Sequence, residues 1–367
     1  MEKTKRLIAL DVLRGLTVAL MITVNNPGSW SHIYAPLEHS KWNGCTPTDL
    51  VFPFFLFAVG TAMWFSFKKF NHNLTSEATK KVLKRTALIF LIGLGLNAFP
   101  FFGTNYSHLR VMGVLQRIAI AYGVASFIAL GLKSRGVWFT LPVLLLGYWG
   151  LLLLGGDGAL TLNGNIVRTV DLSIFGENHI YHGYGIPFDP EGLLSTIPSI
   201  ATVLIGYLVG RSVDIVSDKI QGVKQLIMAG AALIVAGVVW SLVFPLNKPL
   251  WSSSYVLYSA GLATLLLSFF IWIIDIRGYK KWSMPALVFG MNPLFIFVLS
   301  GIVGRLLYII KLPVSGESIP LKSWIYEHWF ASWAGNLNGS LFFAITLIFF
   351  FWILADMLYR KKIFIKI

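Results

Sequence analysis

Long apolar stretches separated by short polar connections run through almost the whole of this 367-residue chain. Ten of them are long enough to cross the hydrocarbon layer of a membrane, which is about 30 Å thick. They lie at 7–26, 47–67, 86–102, 111–132, 137–154, 193–210, 225–243, 254–275, 285–310 and 339–359. The pattern predicts an all-α, polytopic integral membrane helical bundle of about ten transmembrane helices. The first stretch has no small-residue cleavage site before Asn25, so we expect it to remain as a span.

Composition places most of the chain in lipid. Hydrophobic residues make up 56% of it and charged residues 13%, against roughly 25% charged residues in soluble domains. We therefore predict one membrane domain over residues 1–367, in contact with the lipid bilayer. The 13 Trp and 28 Phe leave enough apolar surface for a homodimer. Cys45 is the one cysteine, and no Cys/His spacing is typical of a zinc site, so no metal is predicted.

The distribution of positive charge predicts the orientation. A net charge of +14 would suggest nucleic acid as the partner of a soluble protein, but here Lys and Arg cluster in alternate connections. Twenty-one of the 30 lie on one side, six on the other and three within spans. The positive-inside rule then places both termini in the cytoplasm and leaves no reason to expect a nucleic-acid partner. The connections 27–46, 155–192 and 311–338 fall on the outer face, where we expect the chemistry.

One polar run, His39–Asp49, leads from the first outer connection into the second predicted span. An imidazole titrates near neutrality and can take a proton from an amine or hydroxyl that attacks a carbonyl. His39 is therefore a candidate general base, and the alternative is an interfacial histidine beside Trp42 of an aromatic belt. Asn25, at the outer end of the first span, can bind a carbonyl oxygen on which charge develops or can cap the helix.

Charged side chains inside the apolar stretches are a second kind of candidate. Asp11 and Arg14 are three residues apart, so they share a helix face and can pair, either as a functional pair or as a snorkelling interfacial one. Gln116 and Arg117 lie well inside the fourth stretch. A guanidinium there needs an anion, backbone carbonyls or a wet cavity, so Arg117 would bind a phosphate or carboxylate ligand or an internal carboxylate such as Asp49 or Asp11.

Three further polar segments precede or interrupt later spans. Glu191 can accept hydrogen bonds from sugar hydroxyls or act as an acid at a helix N-terminus. In the segment Asn247–Trp251, the indole of Trp251 can stack on a sugar ring or belong to the aromatic belt. Asn292 precedes a proline that we expect to break a helix inside the membrane, which leaves backbone carbonyls for neighbours or a cavity to satisfy.

Several of these segments together resemble the heparan-α-glucosaminide N-acetyltransferase family, including its bacterial members. The resemblance rests on motifs that follow one another in order from the first span to the ninth: Leu10–Val18, Val24-Asn25, His39–Gly44 leading to Asp49–Phe54, Gly113–Arg117, Leu246–Trp251 and Gly290–Asn292. It implies the transfer of an acetyl group from cytoplasmic acetyl-CoA to the amine of a glucosamine-type sugar, or a hydroxyl, on the far side of the membrane. An amino-sugar or glycan acceptor is thus the expected partner.

The resemblance also assigns roles. His39 is implied as the catalytic histidine, acting as general base or as a transient acetyl carrier, and Asn25 as its polar companion. We expect acetyl-CoA to be bound in a deep cavity by Asp11, Arg14, Trp42, Asn43, Asp49, Gln116 and Arg117. We expect the acceptor to be bound by Glu191, Asn247, Lys248, Trp251 and Asn292.

Departures from the family pattern bear on location and acceptor. The chain starts at its first span, without the extra-membrane amino-terminal domain of eukaryotic members, so we expect a multi-pass protein of the bacterial inner membrane. The connection from Asn25 to His39 is long and contains Pro27 and Pro36, where a glycine-rich segment is expected. Because some bacterial relatives are described as transporters, an N-acetylglucosamine or muropeptide transporter of the inner membrane stays open as the alternative function.

Overall fold

The computed structural model describes residues 7–314 and 316–365, and helices account for most of them. The α-helices are α1 Ile8–Asn25, α2 Val51–Phe67, α3 Ser76–Ala98, α4 Val114–Leu153, α5 Ile166–Phe175, α6 Thr196–Ile215, α7 Lys219–Ser241, α8 Ser253–Phe270, α9 Met284–Met291, α10 Pro293–Ile309, α11 Leu321–Ile325, α12 Ser332–Ala334 and α13 Asn336–Arg360. Short 3₁₀ helices include Pro47–Leu50 and Lys68–Phe70, and π-helical turns span Ile271–Ile276 and Tyr326–Ala331. The predicted all-α, polytopic membrane architecture is confirmed.

One small β-hairpin, which the hydrophobic pattern did not predict, stands between α10 and α11. Strands β1 (Lys311–Val314) and β2 (Glu317–Pro320) pair antiparallel, with Lys311 opposite Pro320 and Val314 opposite Glu317. Each strand contains a proline, and prolines are compatible with strands that have a free edge.

Among the described residues, seven helices are long and apolar enough to cross a membrane by themselves. An eighth span is added when α9 and α10 are counted as one, and these two helices meet at a 74° bend. The bend is at Asn292-Pro293, as the sequence predicts, because proline cannot donate the backbone hydrogen bond that would continue α9.

Two places account for the difference between eight spans and the expected ten. Helix α3 covers the predicted span 86–102 only as far as Ala98, and it carries Lys80, Lys81, Lys84 and Arg85 in its first half. Predicted spans 111–132 and 137–154 form the single 40-residue helix α4, which is interrupted at Lys133, where φ is +55°. The number of spans and the side on which the termini lie stay predictions. Of the charges behind that orientation, Lys3, Lys5, Arg6 and Lys366 lie outside the described residues.

The described chain falls into two compact units. The first unit contains the residues up to Ser40, the segment Thr46–Phe52 and the residues from Ile273 onwards. The second contains Lys41–Cys45 and Pro53–Trp272. The expectation of a single domain over 1–367 stays a prediction, and each unit is described by itself below.

In the first unit, helix α1 packs closely against α9 because each contributes a glycine to the contact. A β-carbon built on Gly15 would lie 1.6 Å from the carbonyl oxygen of Ala286, and one built on Gly290 would lie 1.9 Å from the carbonyl oxygen of Asp11. No larger side chain fits such gaps, so these glycines allow the two backbones to touch. Gly15 belongs to the motif that also contains Asp11 and Arg14.

Candidate functional site

His39 and Asp49 of the first unit form a hydrogen-bonded pair of side chains. Nδ1 of the His39 imidazole lies 2.7 Å from Oδ1 of Asp49. The carboxylate is buried, with a side chain 1% exposed, whereas the side chain of His39 is 47% exposed. A carboxylate accepts a hydrogen bond only from a protonated nitrogen, so Nδ1 carries a proton, and in the neutral form of the imidazole the lone pair is then on Nε2. The exposed ring is therefore oriented as a base needs to be.

Local backbone geometry holds the Asp49 carboxylate in place. The backbone N–H groups of Ser40 and Thr46 and the hydroxyl of Thr46 all donate to Oδ2, at 3.0 to 3.1 Å. Thr46 is the N-cap of the 3₁₀ helix Pro47–Leu50, and Asp49 is its third residue, so the two form a capping box. Asp49, predicted to bind acetyl-CoA, thus orients His39 in the structure.

The other predicted residues of the first unit lie at helix ends and breaks. Asn25 is exposed and is the last residue of α1. Arg14 donates a hydrogen bond to Asp11, so the predicted i,i+3 pair is confirmed. Asn292 is buried at the break between α9 and α10, where its amide bonds the backbone of Ile363 and Ile365 at 3.0 and 2.8 Å. Both the amide nitrogen and the amide oxygen of Asn292 are therefore hydrogen-bonded within the protein.

In the second unit, Glu191 pairs with an arginine that the sequence analysis did not select. Arg110 donates to Asp189 through Nε and Nη2, at 2.9 and 2.7 Å, and to Glu191 through Nη2, at 2.6 Å. Burial alone would raise the pKa of Glu191, but the charges of Arg110 and Arg117 lower it below its ordinary value. Glu191 is therefore an anion fixed by arginine, which leaves it able to accept further hydrogen bonds.

Arg117 is fully buried and binds the backbone turn that follows Glu191. Its Nη2 donates to the carbonyl oxygen of Gly192, at 3.2 Å, and to the hydroxyl of Ser195. The guanidinium carbon lies 5.0 Å from the centre of the Trp251 ring, a distance typical of a cation–π contact. Its Nε and Nη1 atoms have no hydrogen-bond partner among the described residues. Gln116, beside it, donates to the carbonyl oxygen of Val111, at 2.9 Å.

Asp171 on α5 holds the same turn from another direction. Its Oδ1 accepts hydrogen bonds from the backbone N–H groups of Leu193 and Leu194, at 3.0 and 3.4 Å. Its Oδ2 is buried without a hydrogen-bond partner in the described part of the chain, and a β-carbon at Gly192 would lie 1.7 Å from it. Burial raises the pKa of this carboxyl to about 6.

The remaining predicted residues of the second unit make contacts between loops. Trp42 donates from its indole to the carbonyl oxygen of Leu160, at 2.8 Å. The exposed Asn43 accepts from the buried Asn247, at 3.1 Å. The carbonyl oxygen of Lys248 accepts from the backbone N–H of Trp251, at 3.0 Å. Trp251 is 1% exposed and contacts Arg117, so its surroundings differ from those of a belt residue.

Sequence reasoning missed three features of the second unit. The first two are Arg110, which forms an ion pair with Glu191, 81 residues away, and Asp171, which bonds the backbone of Leu193, 22 residues away. Their charge, in a chain with few charged residues, was the one signal in the sequence that could have identified them. The third is an aromatic cluster at the ends of α2 and α6. There the rings of Trp64 and His72 stack with centres 3.8 Å apart, and Asp214 accepts hydrogen bonds from Trp64 and Lys68. Burial lowers the pKa of His72.

Comparison with known proteins gives one family and two relatives. The family model described as "Heparan-alpha-glucosaminide N-acetyltransferase, catalytic" matches residues 6–215, more than half of the chain. The chain is 26% identical over 358 residues to the heparan-alpha-glucosaminide N-acetyltransferase of Mus musculus, covering 81% of the chain and 53% of that protein. It is 26% identical over 351 residues to the Homo sapiens protein of the same name, covering 80% and 52%. The chain thus spans about half the length of these relatives.

Proposed function

The chain belongs to the heparan-alpha-glucosaminide N-acetyltransferase family, and from that premise we propose that it transfers acetyl groups from acetyl-CoA to the amine of a glucosamine-type sugar. The observation that carries this proposal is the hydrogen bond between Nδ1 of His39 and Oδ1 of Asp49, at 2.7 Å. It places the proton of the neutral, exposed imidazole on Nδ1, so Nε2 is the nitrogen that accepts a proton, as attack by an amine on a thioester requires.

In direct transfer, His39 acts as general base. The sugar nitrogen bonds to the carbonyl carbon of the thioester, the carbon–sulfur bond breaks, and the sulfur leaves with the bonding electrons. The proton lost by the nitrogen goes to Nε2, and the Asp49 carboxylate stabilises the imidazolium that forms. In the second route Nε2 itself bonds to the carbonyl carbon, and the carbon–sulfur bond breaks with its electrons going to sulfur. The amine then bonds to the same carbon, the bond to Nε2 breaks, and the proton lost by the amine goes to the released Nε2. Asn25 is proposed to donate to the carbonyl oxygen as charge develops.

Acetyl-CoA carries phosphate groups, so we propose that positively charged and amide side chains bind it. Arg14 is the best candidate, because its side chain is 24% exposed although it pairs with Asp11, and a paired guanidinium retains further donors. Trp42 and Asn43 are proposed to position the thioester, since Asn43 is exposed. Gln116 and Arg117 are buried and bonded within the polypeptide, which favours a supporting role for them.

The acceptor and its location complete the proposal. Glu191 is ionised and fixed, so it is suited to accept hydrogen bonds from sugar hydroxyls or from an ammonium group. Asn247, Lys248 and Trp251 are proposed to shape the acceptor site from within the second unit, where they contact Asn43, one another and Arg117. A role of Asn292 in binding the acceptor stays a prediction from the sequence. The proposed setting is a bacterial inner membrane, with the donor in the cytoplasm and the acceptor on the outer side.

The direct test is an acetyl-transfer assay with the purified full-length chain in nanodiscs. Acetyl-CoA labelled in its acetyl group is supplied with a panel of glucosamine-terminated acceptors and with the matching N-acetylglucosamine-terminated compounds as controls. The proposal predicts label in an amide of the glucosamine compounds and none in the controls, whose amine is already blocked. Movement of the sugar across a membrane without consumption of acetyl-CoA would instead favour the transporter.

A further inference from the structure

The segment between the β-hairpin and α13 is helical throughout, although the sequence pattern predicts a connection there. Helix α11, the π-helical turn Tyr326–Ala331 and α12 follow one another without a gap, and we call them the 321–334 helix. It ends at Gly335, where φ is +75°, and α13 starts at the next residue. This helix therefore leads directly into a membrane-spanning helix.

One side of the 321–334 helix is fixed against the first unit. Lys322 and Tyr326, four residues apart, are buried, and the ammonium of Lys322 lies 5.5 Å from the centre of the Trp30 ring. The hydroxyl of Tyr326 donates to the carbonyl oxygen of Asn336, at 3.1 Å. A β-carbon at Gly339 on α13 would lie 2.8 Å from the backbone nitrogen of Ala331. The helix is thus packed on the first turn of α13.

Two indoles of this helix are exposed. Trp329 and Trp333 are 60% and 69% exposed, and a spacing of four residues places them on one side of a helix. The indole nitrogen of Trp333 donates to the carbonyl oxygen of Trp329, at 2.6 Å, so the orientation of its ring is set. Glu327 is also exposed, but it precedes Trp329 by two residues and so points away from the two indoles.

The indole surface continues the lipid-facing surface of α13. The Trp333 ring stacks on Phe342, with ring centres 5.5 Å apart and an angle of 13° between the planes. Phe342 lies in the second turn of α13, and further along that span Ile345 and Phe349 are also exposed. Exposed apolar side chains on a helix long and apolar enough to cross a membrane form a surface suited to lipid, and Trp333 extends that surface beyond the start of α13.

We propose that the 321–334 helix lies in the membrane–water interface, with Trp329 and Trp333 inserted among the lipid headgroups and the first acyl carbons. An indole has an apolar ring and one polar N–H, which is why tryptophan concentrates at this depth. Glu327, on the opposite side, remains in water. The partner of this surface is therefore the bilayer itself, and the helix anchors the start of α13 at the membrane surface.

The test measures depth at single labelled positions. Cys45 is the one cysteine of the chain, so a Cys45→Ser background accepts one new cysteine at a time, at Trp329, Trp333 or Glu327. Each variant is labelled with a small fluorophore and reconstituted into phosphatidylcholine vesicles. Quenching by a nitroxide attached near the lipid headgroup is compared with quenching by aqueous iodide. Phe349→Cys, in the same background, serves as the lipid-facing control.

The proposal predicts that lipid-borne nitroxide quenches labels at 329 and 333 at least about twofold more strongly than at 327, while iodide shows the reverse order. Equal access to iodide at all three positions would overturn it and leave a solvated surface. Protection from both quenchers would also overturn it, since a protein partner or second copy would then cover the indoles. Should a cysteine variant not fold, the Trp329→Phe, Trp333→Phe double variant replaces it. In that variant brominated lipids must quench a smaller fraction of the tryptophan emission than in the wild type.

Discussion

Nδ1 of His39 lies 2.7 Å from Oδ1 of Asp49, ten residues further along the chain. The short 3₁₀ helix that contains Asp49 is capped by Thr46, and the same carboxylate accepts the backbone N–H of Ser40, directly after the histidine. One buried carboxylate therefore fixes both the imidazole and the backbone beside it. The proposed chemistry depends on this arrangement, because it determines which ring nitrogen carries the proton.

Replacing Asp49 by Asn tests the positioning role. The amide keeps the shape of the side chain but cannot stabilise an imidazolium, so we expect kcat for acetyl transfer to fall by about 10- to 1,000-fold with KM little changed. Glu38→Gln, the same acid-to-amide change at an exposed neighbouring position, should leave kcat near the wild-type value. A loss confined to KM would mean that Asp49 binds the donor, as the sequence suggested.

Replacing Arg117 by Met tests whether this arginine supports the fold. The change removes the cation that bonds Gly192 and Ser195 while keeping an apolar side chain of similar length, so we expect stability to fall by about 3 kcal/mol, measured as a lower thermal midpoint. Arg360→Met, at an exposed site, should change the midpoint little. An unchanged midpoint together with lost acetyl-CoA affinity in calorimetry would return Arg117 to the donor-binding role predicted from sequence.

Because of Asp171, the stability of the folded protein should decrease as the pH rises. Its pKa is raised to about 6 in the folded protein, above the ordinary value for an aspartate, so the folded state holds the proton more tightly than the unfolded state. This contribution to stability is present below about pH 4 and is lost as the pH rises through 6, a change of up to about 3 kcal/mol.

The comparison that isolates this effect is with Asp171→Asn, which cannot ionise. The difference in thermal midpoint, wild type minus variant, should decrease as the pH is raised from 4 to 7. A difference that is constant over this range would show that Asp171 has an ordinary pKa in the folded protein.

Gly15 tests the contact between α1 and α9. A β-carbon there would overlap the carbonyl oxygen of Ala286, at 1.6 Å, so Gly15→Ala must push the two helices apart and should lower the thermal midpoint strongly. Gly95→Ala, in the interior of α3, is the matched control, because nothing lies within 4 Å of its β-carbon. That change should leave stability equal or slightly higher, since alanine favours the helix more than glycine does. Equal midpoints for the two variants would contradict the described packing.

Much of the fold could be predicted because it depends on local patterns. The apolar stretches predict the helices, the three-residue spacing of Asp11 and Arg14 predicts their confirmed pair, and Asn292-Pro293 predicts the break between α9 and α10. The family resemblance drawn from the ordered motifs is confirmed as well. The 321–334 helix was not predicted, because its polar and aromatic residues lack the apolar periodicity of a buried or spanning helix.

The contacts of the candidate residues were harder to predict, because they depend on how the chain folds back on itself. His39 and Asp49 were both selected from sequence, but nothing in their spacing shows that one holds the other. Arg110 was not selected, although it bonds Glu191 from 81 residues away. In the sequence, such residues are distinguished only by their charge. The residue that pairs with each of them can be identified only from the three-dimensional structure.

The proposed function is tested most directly by the rate of acetyl transfer to a glucosamine acceptor in His39→Gln, compared with the wild type and with His182→Gln, an exposed histidine in the second unit. Glutamine keeps a polar side chain at this exposed position, so folding and acetyl-CoA binding should be retained. We predict a loss of about two to four orders of magnitude in kcat for His39→Gln and none for His182→Gln. A folded His39→Gln protein that acetylates the acceptor at nearly the wild-type rate would contradict the assignment of His39 to the chemistry.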